Sequence, residues 1–283
     1  MSAIDLNAWT DAESDPQRQI FRQAVHLILR GIAQSEELSP IMVMKGGILL
    51  AVHYESQRFT TDIDFSTSQR YQEIEVERLL EMMRAALDPV DADNEYGLAL
   101  RLQSYEIKPP NRPNVSFPTL KMRIGYAPRR DRNLMKRLEV LQVPHTVQVD
   151  YSFNEWASGT EMQSLDGGRL IMYGFHDLIA EKLRSILQQP VRGRARYQDI
   201  YDLVLLLDGE EFSDKARREI LEKLHSASEG RDLSLHREAM RDPAVIEWSE
   251  KEYSQLNALL DVEPPAFDVA YTSVRDFFES LPW

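Results

Sequence analysis

The sequence predicts an α/β (α+β) half of about 165 residues followed by a helical half. Three observations carry this. Short apolar or alternating segments of strand character all lie before residue 154. Beyond Gly167-Gly168 the apolar residues recur only at helical spacing. Glycine and serine gather around Ser158-Gly159 and Gly167-Gly168, marking the boundary between expected domains 1–165 and 166–283.

Each element has its own signal. Asp15 to Leu38 reads as a helix, with Ile20, Phe21, Ala24, Val25, Ile28 and Leu29 on one face and Pro40 ending it. Ile41 to Met44 is a short buried strand. Gly46-Gly47 turns the chain into a helix through Ile48, Leu49, Leu50, Val52 and Tyr54. Thr61 to Ser66 is a strand, and Tyr71 to Leu87 an amphipathic helix. Three strands follow at Leu98–Ile107, Ser116–Tyr126 and Thr146–Phe153. Between them Pro109, Pro110, Pro113, Pro118 and Pro128 predict turns and no helix. In the second half, helices are expected at His176–Leu187, Arg196–Leu207, Asp214–His225, Pro243–Leu260 and Asp268–Ser280.

Composition excludes several function classes. The chain has no cysteine, which removes disulfides, thiolate metal sites and cysteine nucleophiles, and fits a cytoplasmic protein. No run of about 18 apolar residues occurs, so no membrane-spanning helix is expected. The start, MSAIDLNAWTDAESD, lacks the basic and apolar regions of a signal peptide. A net charge of −13 argues against non-specific coating of nucleic acid. Two stretches run against that charge. Lys121, Arg123, Arg129, Arg130, Arg132, Lys136 and Arg137 face one acid, Asp131, and Lys182, Arg184, Arg192, Arg194 and Arg196 face none. They are solvated faces or a local positive surface. The six histidines do not cluster at metal-ligand spacing, and no Walker A or G-x-S-x-G motif is present.

The chemistry gathers between Lys45 and Phe65. Lys45-Gly46-Gly47 is followed, fourteen residues on, by Asp62-Ile63-Asp64-Phe65. In a strand Asp62 and Asp64 point to one side, Ile63 and Phe65 to the other. Adjacent carboxylates repel unless a cation lies between them, and Mg²⁺ prefers oxygen ligands. A glycine turn opening a helix offers backbone N–H groups to phosphate. Together these suggest chemistry on a nucleoside triphosphate. Asp150 is the best third carboxylate, because Val147, Val149 and Tyr151 alternate with polar neighbours and leave it on the non-core face. Asp91, Asp93 and Glu95 compete but fall in an expected loop.

These residues resemble a known family. Lys45-Gly46-Gly47 with Arg58-Phe59-Thr60-Thr61-Asp62-Ile63-Asp64-Phe65 resembles the first motif of the AbiEii-type nucleotidyltransferases, toxin components of type IV toxin–antitoxin and abortive-infection (phage defence) systems within the DNA polymerase β-like superfamily. Ala180-Glu181-Lys182-Leu183 with Arg196-Tyr197-Gln198-Asp199-Ile200-Tyr201-Asp202-Leu203 resembles a second. The order and spacing fit across residues 41 to 207. There are two departures: Gln198 stands where the family often carries a basic residue, and Gly-Gly replaces the superfamily's Gly-Ser. The phosphate grip then falls to backbone N–H groups and to Lys45 or Lys182.

The resemblance implies a nucleotidyltransferase-type mixed sheet flanked by helices, then a C-terminal helical domain. It implies an NTP donor with Mg²⁺ or Mn²⁺, an acceptor that includes the 3′ end of tRNA in some members, and a cognate antitoxin protein. Asp62, Asp64 and Asp150 are the expected metal ligands. Gly46 and Gly47 are the expected phosphate cradle. Lys45 contacts phosphate or only ends a strand. Arg58 is expected to support the carboxylate strand by pairing, and Thr60 to hydrogen-bond locally. Lys182 would neutralise a triphosphate and Asp199 accept the acceptor's proton. Alternatively, Asp199 and Asp202 pair with Arg196 and simply hold the helix. The NTP is expected between the two halves. Acceptors other than RNA are a small molecule or a protein hydroxyl, and the non-enzymatic alternative is a partner protein that only senses NTP.

Overall fold

In a computed structural model, residues 4–110, 117–155 and 157–283 are described (backbone only at 73–75). The chain divides into two compact units. One comprises Met1–His53 and Thr61–Tyr173, the other Tyr54–Thr60 and Gly174–Trp283.

The first unit is built of α1 (Leu6–Asp11), α2 (Pro16–Gln34), β1 (Val43–Lys45), α3 (Gly46–His53), β2 (Asp62–Ser66), α4 (Glu73–Ala92), β3 (Leu98–Lys108), β4 (Thr119–Pro128), α5 (Arg132–Glu139), β5 (Thr146–Ser152), β6 (Thr160–Leu165) and β7 (Gly168–Tyr173). The strands form one mixed sheet in the order β3-β4-β5-β2-β1-β7-β6. β1 runs parallel to β7 and β2 parallel to β5, and the other neighbours are antiparallel.

Period-two patterning separates the faces of this sheet. Ile63, Phe65, Leu120, Met122, Ile124, Val147, Val149 and Tyr151 are all fully buried, while the residues between them are polar. α2 packs on α4 and β7, and α4 on β3. Asp15 caps α2, accepting from the N–H groups of Gln17 and Arg18, and Pro16 fits the first turn. The backbones of α2 and β7 approach so closely that a Cβ on Gly168 would lie 2.3 Å from the Ala33 carbonyl oxygen. Gly168→Ala is therefore expected to lower stability by about 1–3 kcal/mol, measured by urea unfolding.

The expected elements recur with shifted ends, and Ser116 and Pro113 lie outside the described residues. α4 continues past Leu87 through Pro89 to Ala92. α5 stands where only turns were expected: Pro128 ends β4, and the Asp131 carboxylate then caps a new helix through the N–H groups of Asn133 and Leu134. The glycine-marked stretch near 167 is a hairpin. Asp166 (φ +46°) and Gly167 (φ +83°) form the two-residue turn between β6 and β7.

The second unit is helical: α6 (Phe175–Leu187), α7 (Gln189–Arg192), α8 (Tyr197–Leu207), α9 (Asp214–Ser228), α10 (Pro243–Glu250) and α11 (Phe267–Glu279). α6 packs on α8 and α9, and α8 on α11. The expected long helix from Pro243 breaks, because Glu252 takes the left-handed conformation (φ +66°) and a 3₁₀ turn, Tyr253–Ala258, follows. The segment Tyr54–Thr60 is tied into this unit. Phe59 N–H donates to the Leu259 carbonyl at 2.8 Å, and the Tyr54 ring lies 5.8 Å from that of Phe175.

Candidate active site

Sheet register aligns the charged residues of the polar face. Asp64 on β2 stands opposite Lys45 on β1 and Asp150 on β5, and Asp150 stands opposite Lys121 on β4. One row therefore reads Lys45, Asp64, Asp150, Lys121. Asp62, Gln148 and Arg123 form the next row on the same face. Among the described residues, Asp62, Asp64 and Asp150 are the one group of three or more His, Cys, Asp or Glu whose ligand atoms lie within 4.8 Å of one another.

The environment of Asp150 is asymmetric. Oδ2 accepts from the Lys121 ammonium at 2.5 Å, whereas Oδ1 is buried without a hydrogen-bond partner. Burial pushes the Asp150 carboxyl above its ordinary pKa, Lys121 pulls it back and Asp62 adds to the rise. An oxygen-only donor set of three carboxylates, with one buried oxygen unsatisfied, fits a hard divalent cation such as Mg²⁺ or Mn²⁺.

The β1–α3 turn completes this corner. Gly46 has φ +74°, and a Cβ there would lie 2.1 Å from Asp64 Oδ2. Glycine is thus required twice, by backbone conformation and by space. The absence of a side chain brings the N-terminus of α3, with Gly47 in its first turn, against the carboxylates, where helix N–H groups favour anions. Gly46→Ala is expected to lower the activity of this site by about 100-fold, because a displaced Asp64 misaligns the carboxylates, and steady-state kinetics reads this directly.

Lys45 is the last residue of β1, and its ammonium pairs with the Glu155 carboxylate and sits 5.8 Å from the centre of the Tyr173 ring. Two of the competing acids are engaged elsewhere: Asp91 accepts from Leu100 N–H and pairs with Arg101 and Arg129, while Glu95 pairs with Arg30.

The helical unit holds a second constellation. The Arg58 guanidinium grips Asp202 with two bonds, each 2.9 Å. Lys182 Nζ donates to Asp202 at 2.7 Å and to Asp199 at 2.9 Å. The side chains of Asp202 and Lys182 are 0% and 4% exposed. Burial alone would lower the Lys182 pKa, but Asp199 and Asp202 reverse this and raise it. Burial would likewise raise Asp202, and Arg58 and Lys182 hold it below the usual carboxylate range. Asp199 Oδ2 is buried without a hydrogen-bond partner. Thr60 lies in the stretch without regular secondary structure just before β2.

The structure thus brings Asp62, Asp64, Asp150, Lys45 and Gly46 together in one unit, and Arg58, Lys182, Asp199 and Asp202 in the other. Lys121 and Glu155 are partners that sequence reasoning did not single out. The alternation Leu120-Lys121-Met122-Arg123-Ile124 already placed Lys121 on the polar face, but only strand order gives it Asp150. The basic stretches also separate. Lys182 and Arg184 are buried, so the surface of the second run is mainly Arg192 and Arg194. In the first, Leu134, Met135 and Leu138 of α5 pack against Ala99, Ala127 and Val143, leaving Arg130, Arg132, Lys136 and Arg137 exposed.

A family model described as "Nucleotidyl transferase AbiEii toxin, Type IV TA system" matches residues 27–276. No curated protein matches significantly. Among solved structures, JHP933 from Helicobacter pylori is similar over 94% of each chain, with a TM-score of 0.54 and 18% identity. A chain from H. pylori described as a candidate nucleotidyltransferase is similar over 94% of this chain and 96% of that one, with a TM-score of 0.51 and 16% identity. At these identities the structural likeness concerns the fold alone.

Proposed function

We propose, for a chain that belongs to the AbiEii family of nucleotidyltransferase toxins, that it transfers a nucleoside monophosphate from an NTP to RNA, with the 3′ end of tRNA as the acceptor, in a metal-dependent reaction. The observation that carries the reading is the group Asp62, Asp64 and Asp150, with ligand oxygens within 4.8 Å and a buried oxygen left without a partner. A bound Mg²⁺ or Mn²⁺ supplies charge neutralisation of the triphosphate and polarises its phosphoryl oxygens.

The chain's own residues do the rest. Asp62, Asp64 and Asp150 hold the metal. The N–H groups at Gly46 and Gly47 hold phosphate, and Lys45 either joins them or stays with Glu155. The acceptor hydroxyl oxygen bonds to the α-phosphorus, the bond from that phosphorus to the bridging oxygen breaks, and pyrophosphate leaves with the electron pair. Asp199 keeps its expected role of proton acceptance on the family motif it occupies, while Lys182, already bonded to Asp199 and Asp202, holds the Asp199 carboxylate in place instead of reaching phosphate. Arg58 and Thr60 support the segment that leads into β2. The exposed cations of α5 favour a polyanionic acceptor. The toxin family supports a cognate antitoxin, and a role in phage defence in the cytoplasm belongs to the same proposal. Among the described residues no helix is long and apolar enough to cross a membrane.

The acceptor is tested by supplying α-labelled NTPs with total RNA, tRNA, protein and aminoglycoside. Label is expected on RNA. The triple variant Arg130→Glu, Arg132→Glu, Lys136→Glu should lose most of that labelling and show a weaker salt dependence. Label on a small molecule or protein, untouched by charge reversal, would replace RNA as the substrate. Tight NTP binding without pyrophosphate release for any acceptor would replace the enzyme with a nucleotide sensor.

A further inference from the structure

We propose that Lys121 is a positioning residue for the metal-binding carboxylates: its ammonium fixes Asp150 Oδ2 and so leaves Oδ1 as the oxygen offered to the metal. The inference rests on the metal reading of the site. Its geometry is set by the sheet. Lys121 and Asp150 are direct cross-strand partners in the antiparallel β4–β5 pair, and Asp150 is the direct partner of Asp64 in the parallel β2–β5 pair. The lysine therefore stands one strand beyond the carboxylates on the same face, about 5 Å further along the sheet.

Three further observations fit. The Lys121 side chain is 27% exposed and that of Asp150 13%, so the pair is shielded but the lysine remains the wetter partner. Its 2.5 Å contact is with Oδ2, and the atom without a partner is Oδ1. Glu106, opposite Lys121 on β3, is itself paired with Lys108 at 2.8 Å, so it does not draw the ammonium away. Three carboxylates and one lysine leave a double negative charge, which one divalent ion cancels. Carboxylates that bind metals are commonly oriented by such outer partners, whose loss weakens metal binding.

The test titrates the metal-free full chain with Mn²⁺ and reads the free ion by electron paramagnetic resonance. Lys121→Met is expected to raise the Mn²⁺ dissociation constant by about 10-fold or more. Lys121→Arg, which keeps the charge, should recover most of that loss. In an Asp150→Asn background, Lys121→Met should add little, because the two residues act as one unit. Circular dichroism melts verify the fold, and Lys121→Gln takes the place of the methionine variant if that does not fold. Wild-type or tighter Mn²⁺ binding by the uncharged variant overturns the inference, since a lysine that merely competed with the metal would give that result. An equal loss in the Asp150→Asn background overturns it too. Asp62→Asn separates the two levels. If it leaves Mn²⁺ affinity unchanged, the metal reading itself fails. If it weakens binding while Lys121→Met does not, only the role of Lys121 fails.

Discussion

Asp64→Asn is expected to lower nucleotidyl transfer by about 1,000-fold or more while leaving the fold intact. Asp64 is central in the row of aligned charges, between Lys45 and Asp150, and its carboxylate fills the space that a side chain at Gly46 would take. Metal-assisted stabilisation of transition-state charge is worth several kcal/mol, and each 1.4 kcal/mol corresponds to about tenfold in rate. Asparagine keeps the shape, so it fits beside Gly46 as aspartate does and only charge and ligand strength are lost. The melting temperature is expected to move by no more than about 4 °C, because removing one of three crowded negative charges also relieves repulsion. A rate within tenfold of wild type would show that Asp64 is not a ligand in the reacting complex.

Asp202→Asn has the opposite signature, a large loss of stability. Asp202 is fully buried between Arg58 and Lys182 and accepts three hydrogen bonds from them. The substitution takes from Arg58 and Lys182 a buried anionic partner that both grip. Breaking a buried ion pair in this way costs about 3–5 kcal/mol. The expectation is a loss of that size in urea unfolding at pH 7, against less than 1 kcal/mol if the cluster were solvated. The dependence on pH has a definite sign. The folded-state pKa of Asp202 is lowered, so its contribution is complete above the unfolded value of about 3.9 and disappears as pH falls through the folded value. The wild type should therefore lose stability below about pH 4 more steeply than Asp202→Asn does.

How much of this was legible follows from where the information sits. Asp62 and Asp64 were readable because a strand repeats every two residues, and the same rule separated Asp150 from Val149 and Tyr151. The mixed α/β sheet and the family followed from motif order, which the structure and the family match bear out. Local rules also covered more than was drawn from them. Asp166-Gly167 is a standard hairpin turn and Asp131 a standard helix cap, yet glycine content read as a boundary and proline content as turns.

Register was not legible. Nothing local places Asp64 on one side of Asp150 and Lys121 on the other, because the order β4-β5-β2 is fixed by long-range pairing. Arg58 shows the same limit: the motif suggested that it supports the carboxylate strand, but its partner Asp202 lies 144 residues away in a helix. Burial was hidden too. Lys182 and Arg184 read as part of a basic surface, and their charges are neutralised inside the helical unit.

The central claim is that Asp62, Asp64 and Asp150 bind a divalent metal and drive transfer of a nucleotide. The most direct measurement incubates α-labelled NTPs and an RNA pool with the wild type and with Asp62→Ala, with Mg²⁺ or with EDTA. Covalent labelling of RNA is predicted with the wild type and Mg²⁺ alone. Equal labelling by Asp62→Ala, or by the wild type in EDTA, would contradict it.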